Sequence, residues 1–189
     1  THISGLRPNT TYHVKVFEYN GTGSTTSYLT GNDSNGNPPP EASLSTLATP
    51  TLQASDITFS NVLGERMTVS WTKGDGSGRI LIAREGSPVD VEPVDLVSYY
   101  ANSGGMGNAY YEIGTGNYVL YNSTGTSTTI TNLKSNTTYY FALFEFNGTG
   151  NSKLYLTSTS PNPIPGATAS QQTTAYPTIN TTNVYFDNP

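Results

Sequence analysis

Ile130-Thr-Asn-Leu133-Lys-Ser-Asn136-Thr-Thr-Tyr139-Tyr-Phe-Ala-Leu143-Phe-Glu-Phe-Asn147-Gly-Thr-Gly150 decides how this chain folds. From Tyr139 to Phe146 it is aromatic and apolar, and the Asn147-Gly148 that follows supplies the two residues that most readily take a positive φ, so the stretch reads as a long strand closed by a turn. It also occurs twice. Ile3-Ser-Gly-Leu6-Arg-Pro-Asn9-Thr-Thr-Tyr12 lies over Ile130 to Tyr139, and Phe17-Glu-Tyr-Asn-Gly-Thr-Gly23 over Phe144 to Gly150, at a constant offset of 127 residues. Without a gap the same offset carries Tyr28-Leu-Thr30 onto Tyr155-Leu-Thr157, Pro50-Thr51 onto Pro177-Thr178 and Phe59 onto Phe186.

A repeat of this kind outranks any local reading of structure. The 189 residues are expected to be a window cut from a tandem array, from a protein longer than this chain, since Thr1 is not preceded by a charged and then apolar leader. Residues 1–48 are the back end of one repeat, 49–175 a complete one, and 176–189 the first strand of the next. Pro50 and Pro177 mark the junctions, each after a polar Thr/Ser/Ala stretch that suits an extended last strand and a stiffened link. The two flanks are expected to leave strand edges and apolar faces uncovered.

Inside the complete unit the apolar residues alternate with period two. Ile57 and Phe59 mark a first strand; Met67, Val69 and Trp71 a second, with Thr68, Ser70 and Thr72 toward water; Arg79 to Ala83 is apolar on both faces, as a central strand would be. Tyr118 to Tyr121 and Thr128 to Ile130 add two more. In the first copy of the long strand Tyr12, Val14 and Val16 alternate with His13 and Lys15, so the equivalent inward set is Tyr139, Phe141 and Leu143, with the opposite face wet. Trp71 is predicted to pack against that set. Six or seven short strands between turn clusters imply an all-β fold, an antiparallel β-sandwich.

Composition narrows the function classes. With 8 Lys+Arg against 13 Asp+Glu the net charge is −5, which argues against a phosphate-neutralising nucleic-acid binder. There is no cysteine, hence no disulfide framework or thiolate site, and the two histidines, His2 and His13, fall outside the complete repeat. No apolar run is long enough to insert in a membrane. Phosphate loops, zinc spacings, nucleophile elbows and Ser/His/Asp sets are absent from the sequence, so neither catalytic residues nor a cofactor or metal is expected.

A tryptophan on the second strand, and Leu133-Lys-Ser-Asn-Thr-Thr-Tyr139 leading into an alternating strand, resemble the fibronectin type III domain of the immunoglobulin-like sandwiches, with its strand-B tryptophan and leucine-to-tyrosine corner. Leu6-Arg-Pro8-Asn-Thr-Thr-Tyr12 repeats the corner with the proline that family often shows; Ser135 departs from it. The phrases Ile82-Ala-Arg84-Glu-Gly-Ser-Pro88, Gly114-Thr-Gly-Asn-Tyr118-Val and Phe144-Glu-Phe-Asn-Gly-Thr-Gly150 resemble a longer variant strung in tandem in large secreted or surface-anchored bacterial proteins. That resemblance implies a non-catalytic extracellular spacer or adhesion module, secreted or at the cell surface. Its partners would be neighbouring repeats, with a polysaccharide or a surface protein beyond them; the Arg-Gly-Asp tripeptide of some animal members is absent.

The period of 127 exceeds the roughly 100 residues of an ordinary sandwich of this class. The surplus falls between Gly86 and Gly116, where Tyr99, Tyr100, Met106, Tyr110 and Tyr111 make a sticky loop. Long loops on rigid sandwiches are where binding tends to sit. Tyrosine rings there suit the flat faces of sugars, the reading of a carbohydrate-binding accessory module in a polysaccharide-degrading enzyme; the alternative is cross-strand packing. Glu145, like its equivalent Glu18, points inward if alternation persists, and a buried carboxylate needs a partner, for which Arg84 is the candidate. Asp90, Glu92 and Asp95 read as the solvated edge of the loop rather than an acid pair, and Asp33-Ser-Asn35-Gly-Asn37 as a turn rather than a calcium loop.

Overall fold

Alternation of small polar and large apolar side chains produces strands throughout the computed structural model, which describes residues 2–159 and 165–177. The chain divides into two compact units, Thr1–Ala48 and Thr49–Pro189. The second carries strands β5 (Ser55–Ser60), β6 (Met67–Thr72), β7 (Gly78–Glu85), β8 (Glu112–Gly114), β9 (Asn117–Ser123), β10 (Ser127–Ile130), β11 (Thr138–Asn147), β12 (Leu154–Tyr155) and β13 (Ala167–Gln172); the first carries β1 (Thr11–Lys15), β2 (Tyr19–Asn20), β3 (Ser27–Tyr28) and β4 (Glu41–Ser45).

In the second unit β10-β6-β5 form one sheet and β12-β11-β7-β9-β8 the other, with β13 also on β11; every pairing is antiparallel. The two sheets face each other across a core. Met67, Val69 and Trp71 from β6 and Ile130 from β10 meet Leu81 and Ala83 from β7, Leu120 from β9, and Tyr139, Phe141 and Leu143 from β11. This is an antiparallel β-sandwich in which the first, second and fifth long strands make the smaller sheet. The inward set Tyr139, Phe141 and Leu143 is as expected, and Trp71 shares its core, meeting Tyr121 edge-on at 5.1 Å. At the corner before β11, Leu133 is buried and the Tyr139 hydroxyl accepts the Lys134 amide at 2.9 Å.

The opposite face of β11 departs from expectation. It is not wet: Ala142, Phe144 and Phe146 are buried with Ile80, Ile82, Val119 and Tyr155 in a second cluster on the outside of the larger sheet. Val89, Val91, Tyr99 and Ile113 cover that cluster, so the surplus segment between Gly86 and Gly116 lies across the sheet as a lid rather than projecting from one end. Burial on both faces explains why β7 and β11 are near-continuously apolar. Strands β8 and β12 were not legible as strands because they are three and two residues long.

The first unit is two ladders, β1 with β4 and β2 with β3. Its hydrogen bonds recur 127 residues later. Thr11↔Ser45 through Lys15↔Glu41 match Thr138↔Gln172 through Ala142↔Thr168. The Tyr12 hydroxyl accepts the Arg7 amide at 2.8 Å as Tyr139 accepts that of Lys134, and Thr46 bonds to the Arg7 carbonyl as Thr173 does to that of Lys134. Left-handed Asn9 and Asn136 occupy the same place in the turn. Val14, Val16 and Leu44 are 41%, 57% and 80% exposed, because this unit has no second sheet over β1 and β4 among the described residues. For the same reason Glu18 is exposed, unlike Glu145. Of residues 176–189, those from 178 onward, including Phe186, lie outside the described residues.

Candidate functional site

Alternation of Val89 and Val91 with Asp90 and Glu92 lays the start of the lid along the larger sheet with valines inward and carboxylates outward. The carboxylates are anchors rather than a solvated edge. Asp90 pairs with Arg84 and accepts from Asn117 Nδ2 at 2.8 Å; these two groups hold its carboxyl below the ordinary aspartate value. Glu92 accepts from the Ser158 hydroxyl at 2.6 Å, and Asp95 from the Tyr155 amide at 2.7 Å. Leu96, which has a left-handed backbone (φ 64), donates its amide to the Lys153 carbonyl at 2.8 Å.

Beyond Leu96 the lid carries the five residues singled out in the sequence, and they separate into two groups. Tyr99 packs edge-on to Tyr155, its hydroxyl accepts the Val94 amide at 3.0 Å, and its carbonyl accepts from Asn122 Nδ2 at 2.7 Å. Met106 packs on the inner core. Tyr111 is half-buried: a Cβ at Gly105 would stand 2.7 Å from its ring, so only glycine allows that approach, and its hydroxyl accepts from Asn102 Nδ2 at 3.2 Å. Tyr100 and Tyr110 remain 68% and 63% exposed, their ring centroids 5.1 Å apart and their planes tilted by 31°. The loop does not bring all five onto one surface; it presents two and uses three for packing.

Glu145 is buried as alternation implied, but its partner is not Arg84. In the β7/β11 register Glu145 stands opposite Arg79 and Arg84 opposite Tyr140. Arg79 shares the inward parity of Leu81 and Ala83, whereas Arg84 falls on the outer face, where it meets Asp90. Arg79 Nε donates to Glu145 Oε1 at 2.9 Å and Nη2 to Oε2 at 3.2 Å. Gln53 completes the arrangement, accepting the Glu145 amide at 2.6 Å and donating to the Leu156 carbonyl at 2.9 Å. Arg79 was visible as the first residue of an apolar strand, yet only the register identifies its partner. The groups make a closed structural set with no face toward solvent.

Lys153 is a buried cation that sequence reading missed. Its Nζ donates to Asn122 Oδ1 at 2.6 Å and stands 3.8 Å above the Phe146 ring. Burial pulls its pKa below the ordinary lysine value. The unfolded chain therefore binds more protons between the folded value and about 10.4, and the folded form gains stability as pH rises through that window. Urea unfolding at about pH 7 and about pH 9.5 should show the wild type gaining on Lys153→Met at the higher pH. A constant difference between the two proteins would contradict this.

One other concavity is already occupied by its own charges. A groove of about 480 Å³ is lined by Arg84, Glu85, Met106, Tyr118 and Lys134, but Lys134 pairs with Glu85 at 2.8 Å and Arg84 with Asp90. Asp33 Oδ1 accepts the Asn35 and Asn37 amides at 2.8 and 2.9 Å, a turn closed on itself. Among the described residues no three His, Cys, Asp or Glu groups could hold a metal ion, and no helix is long and apolar enough to cross a membrane.

Fold and lid together define an antiparallel β-sandwich module whose larger sheet carries an inserted cover. Several solved structures resemble the chain at low sequence identity. The FN1–FN3 domains of chicken CNTN1 align at 18% identity and a TM-score of 0.48, over 90% of this chain and 43% of that one. A computationally redesigned β-sandwich protein aligns at 18% and 0.40, over 72% and 99%. The fibronectin type-III domain of human fibronectin type III domain containing protein 3 aligns at 14% and 0.40, over 70% and 93%. No protein-family model and no curated protein sequence matches the chain.

Proposed function

We propose that this chain is a stretch of a head-to-tail array of fibronectin type III-like sandwiches, serving outside the cell as a non-catalytic spacer and interaction module. The observation that carries the reading is the recurrence, at a spacing of 127 residues, of the same strand register, tyrosine-corner bond and threonine bonds in both units. In this reading residues 1–48 close a preceding repeat, 49–175 are a whole one and 176–189 open the next. The exposed Val14, Val16 and Glu18 are then the half-core and inward carboxylate of a sandwich whose other strands lie in a preceding part of the protein.

Arg79 and Glu145 are buried and paired with each other, which supports a structural role for them. Extracellular placement is supported by the hydroxyl-rich, weakly charged sequence and its likeness to secreted and surface-anchored bacterial arrays. Neighbouring repeats are the first partners, with a polysaccharide or surface protein beyond. Small-angle scattering of polypeptides holding one, two and three copies of residues 49–175 tests the spacer. The longest dimension should grow by a constant increment per copy; collapse to a compact particle would contradict it.

A further inference from the structure

Tyr100 and Tyr110 are more than half exposed, unlike Tyr99, Tyr111, Tyr118 and Tyr121 around them. They sit on a segment held to the sandwich by its own backbone: the Asn102 amide donates to the Val119 carbonyl at 3.3 Å, and the Thr131 amide to the Ser103 carbonyl at 3.0 Å. Tyr110 lies in a single 3₁₀ turn, Ala109–Tyr111, whose preceding Asn108 accepts the Tyr110 amide at 3.0 Å. Tyr111 supports Tyr110 from beneath, at 5.2 Å and 89°. The backbone that carries the two exposed rings is thus anchored before any ligand arrives, which lowers the ordering cost of binding.

Exposed aromatic surface on a rigid frame marks an interaction site. Its chemistry narrows the partner. From Leu96 to Tyr111 there is no charged residue, and the polar side chains of the segment are those of Ser98, Asn102, Ser103, Asn108 and the tyrosines. Such a surface has nothing to neutralise an acidic polysaccharide, and lacks the arginine anchors common in protein interfaces. It suits a ligand with a flat C–H face and a hydroxyl rim, which an aromatic ring with a polar tip can meet on both counts.

We propose that Tyr100 and Tyr110 form a stacking site for an uncharged polysaccharide. The site deepens the interaction half of the proposed function and rests on it; the spacer half stands or falls on scattering and is untouched by the outcome here. The test is depletion of the 189-residue chain from solution by insoluble cellulose, chitin and β-1,3-glucan, with a pectin gel as the acidic comparison. At least one neutral polymer should retain the wild type. Tyr100→Ala/Tyr110→Ala should weaken that retention about tenfold or more with the melting temperature unchanged, since both side chains are exposed. Tyr100→Trp, which keeps a flat ring, should bind at least as well as wild type. Retention by none of the neutral polymers, preference for pectin, or a double variant that binds like wild type would overturn the proposal; the first result would leave the pair to a protein partner.

Discussion

Arg79→Ala is expected to destabilise the sandwich by about 3–5 kcal/mol, because it strands a carboxylate that has no route to water. The side chains of Arg79 and Glu145 are 2% and 0% exposed. The guanidinium meets the carboxylate through two donors, and its Nη1 also donates to the carbonyls of Thr124 and Gly125, the latter at 2.8 Å. On the other side Glu145 Oε1 accepts the Gly74 amide at 3.0 Å. A Cβ on Gly76 would stand 2.6 Å from Oε2, so the turn between β6 and β7 closes directly on the carboxylate. Removing the arginine deprives the anion of its counter-charge and takes a donor away from the carbonyls of Thr124 and Gly125. Glu145→Ala should cost a similar amount by the reverse argument. Arg79→Met/Glu145→Leu removes both charges together, and its cost should fall well below the sum of the two alanine variants. Urea unfolding of the four proteins compares the losses; a double variant that costs as much as the two alanine variants together would show that the pair does not act as one unit.

Trp71→Ala should cost about 3–5 kcal/mol through the cavity left between the sheets. The indole is 5% exposed, in the core that also holds Leu81, Leu120 and Phe141. Its Nε1 is buried without a hydrogen-bond partner. Trp71→Phe therefore removes an unsatisfied donor along with part of the ring, and should cost less than half as much as the alanine variant. Far-UV circular dichroism melts compare the two. Equal losses would contradict the cavity account.

These two sites differ in how far the sequence revealed them. Trp71 was legible because Met67, Val69 and Trp71 alternate with hydroxyl residues, and a half-exposed strand writes its facing into its period. The same held for Tyr139, Phe141 and Leu143. Glu145 was legible as an inward carboxylate for that reason, but its partner was not. Arg79 and Glu145 are 66 residues apart, and the register that joins them is set by the packing of whole strands. Arg84 was the wrong arginine by parity: five positions beyond Arg79, it must face the other way.

The lid was hidden for a different physical reason. Valines at positions 89 and 91 alternate with carboxylates as in any half-buried extended segment, yet nothing local says which sheet face they cover. The unbroken apolar runs of β7 and β11 were the clue, since a face open to water would not carry Ile80, Ile82, Phe144 and Phe146. Within the lid, neighbouring Tyr99 and Tyr100 are chemically identical in sequence, yet one packs on Tyr155 and the other is exposed to solvent. Composition identified a sticky loop; only geometry could divide it into packing and presentation.

Hydrogen exchange read by mass spectrometry on the 189-residue chain tests the central claim most directly, that one sandwich is whole within residues 49–175 and that residues 1–48 repeat only its closing strands. Amides of β6, β7 and β11 should exchange together at the slow rate of global unfolding, while those of β1 and β4 exchange about 100-fold faster or more. Equal protection of β1, β4 and β11 would contradict it.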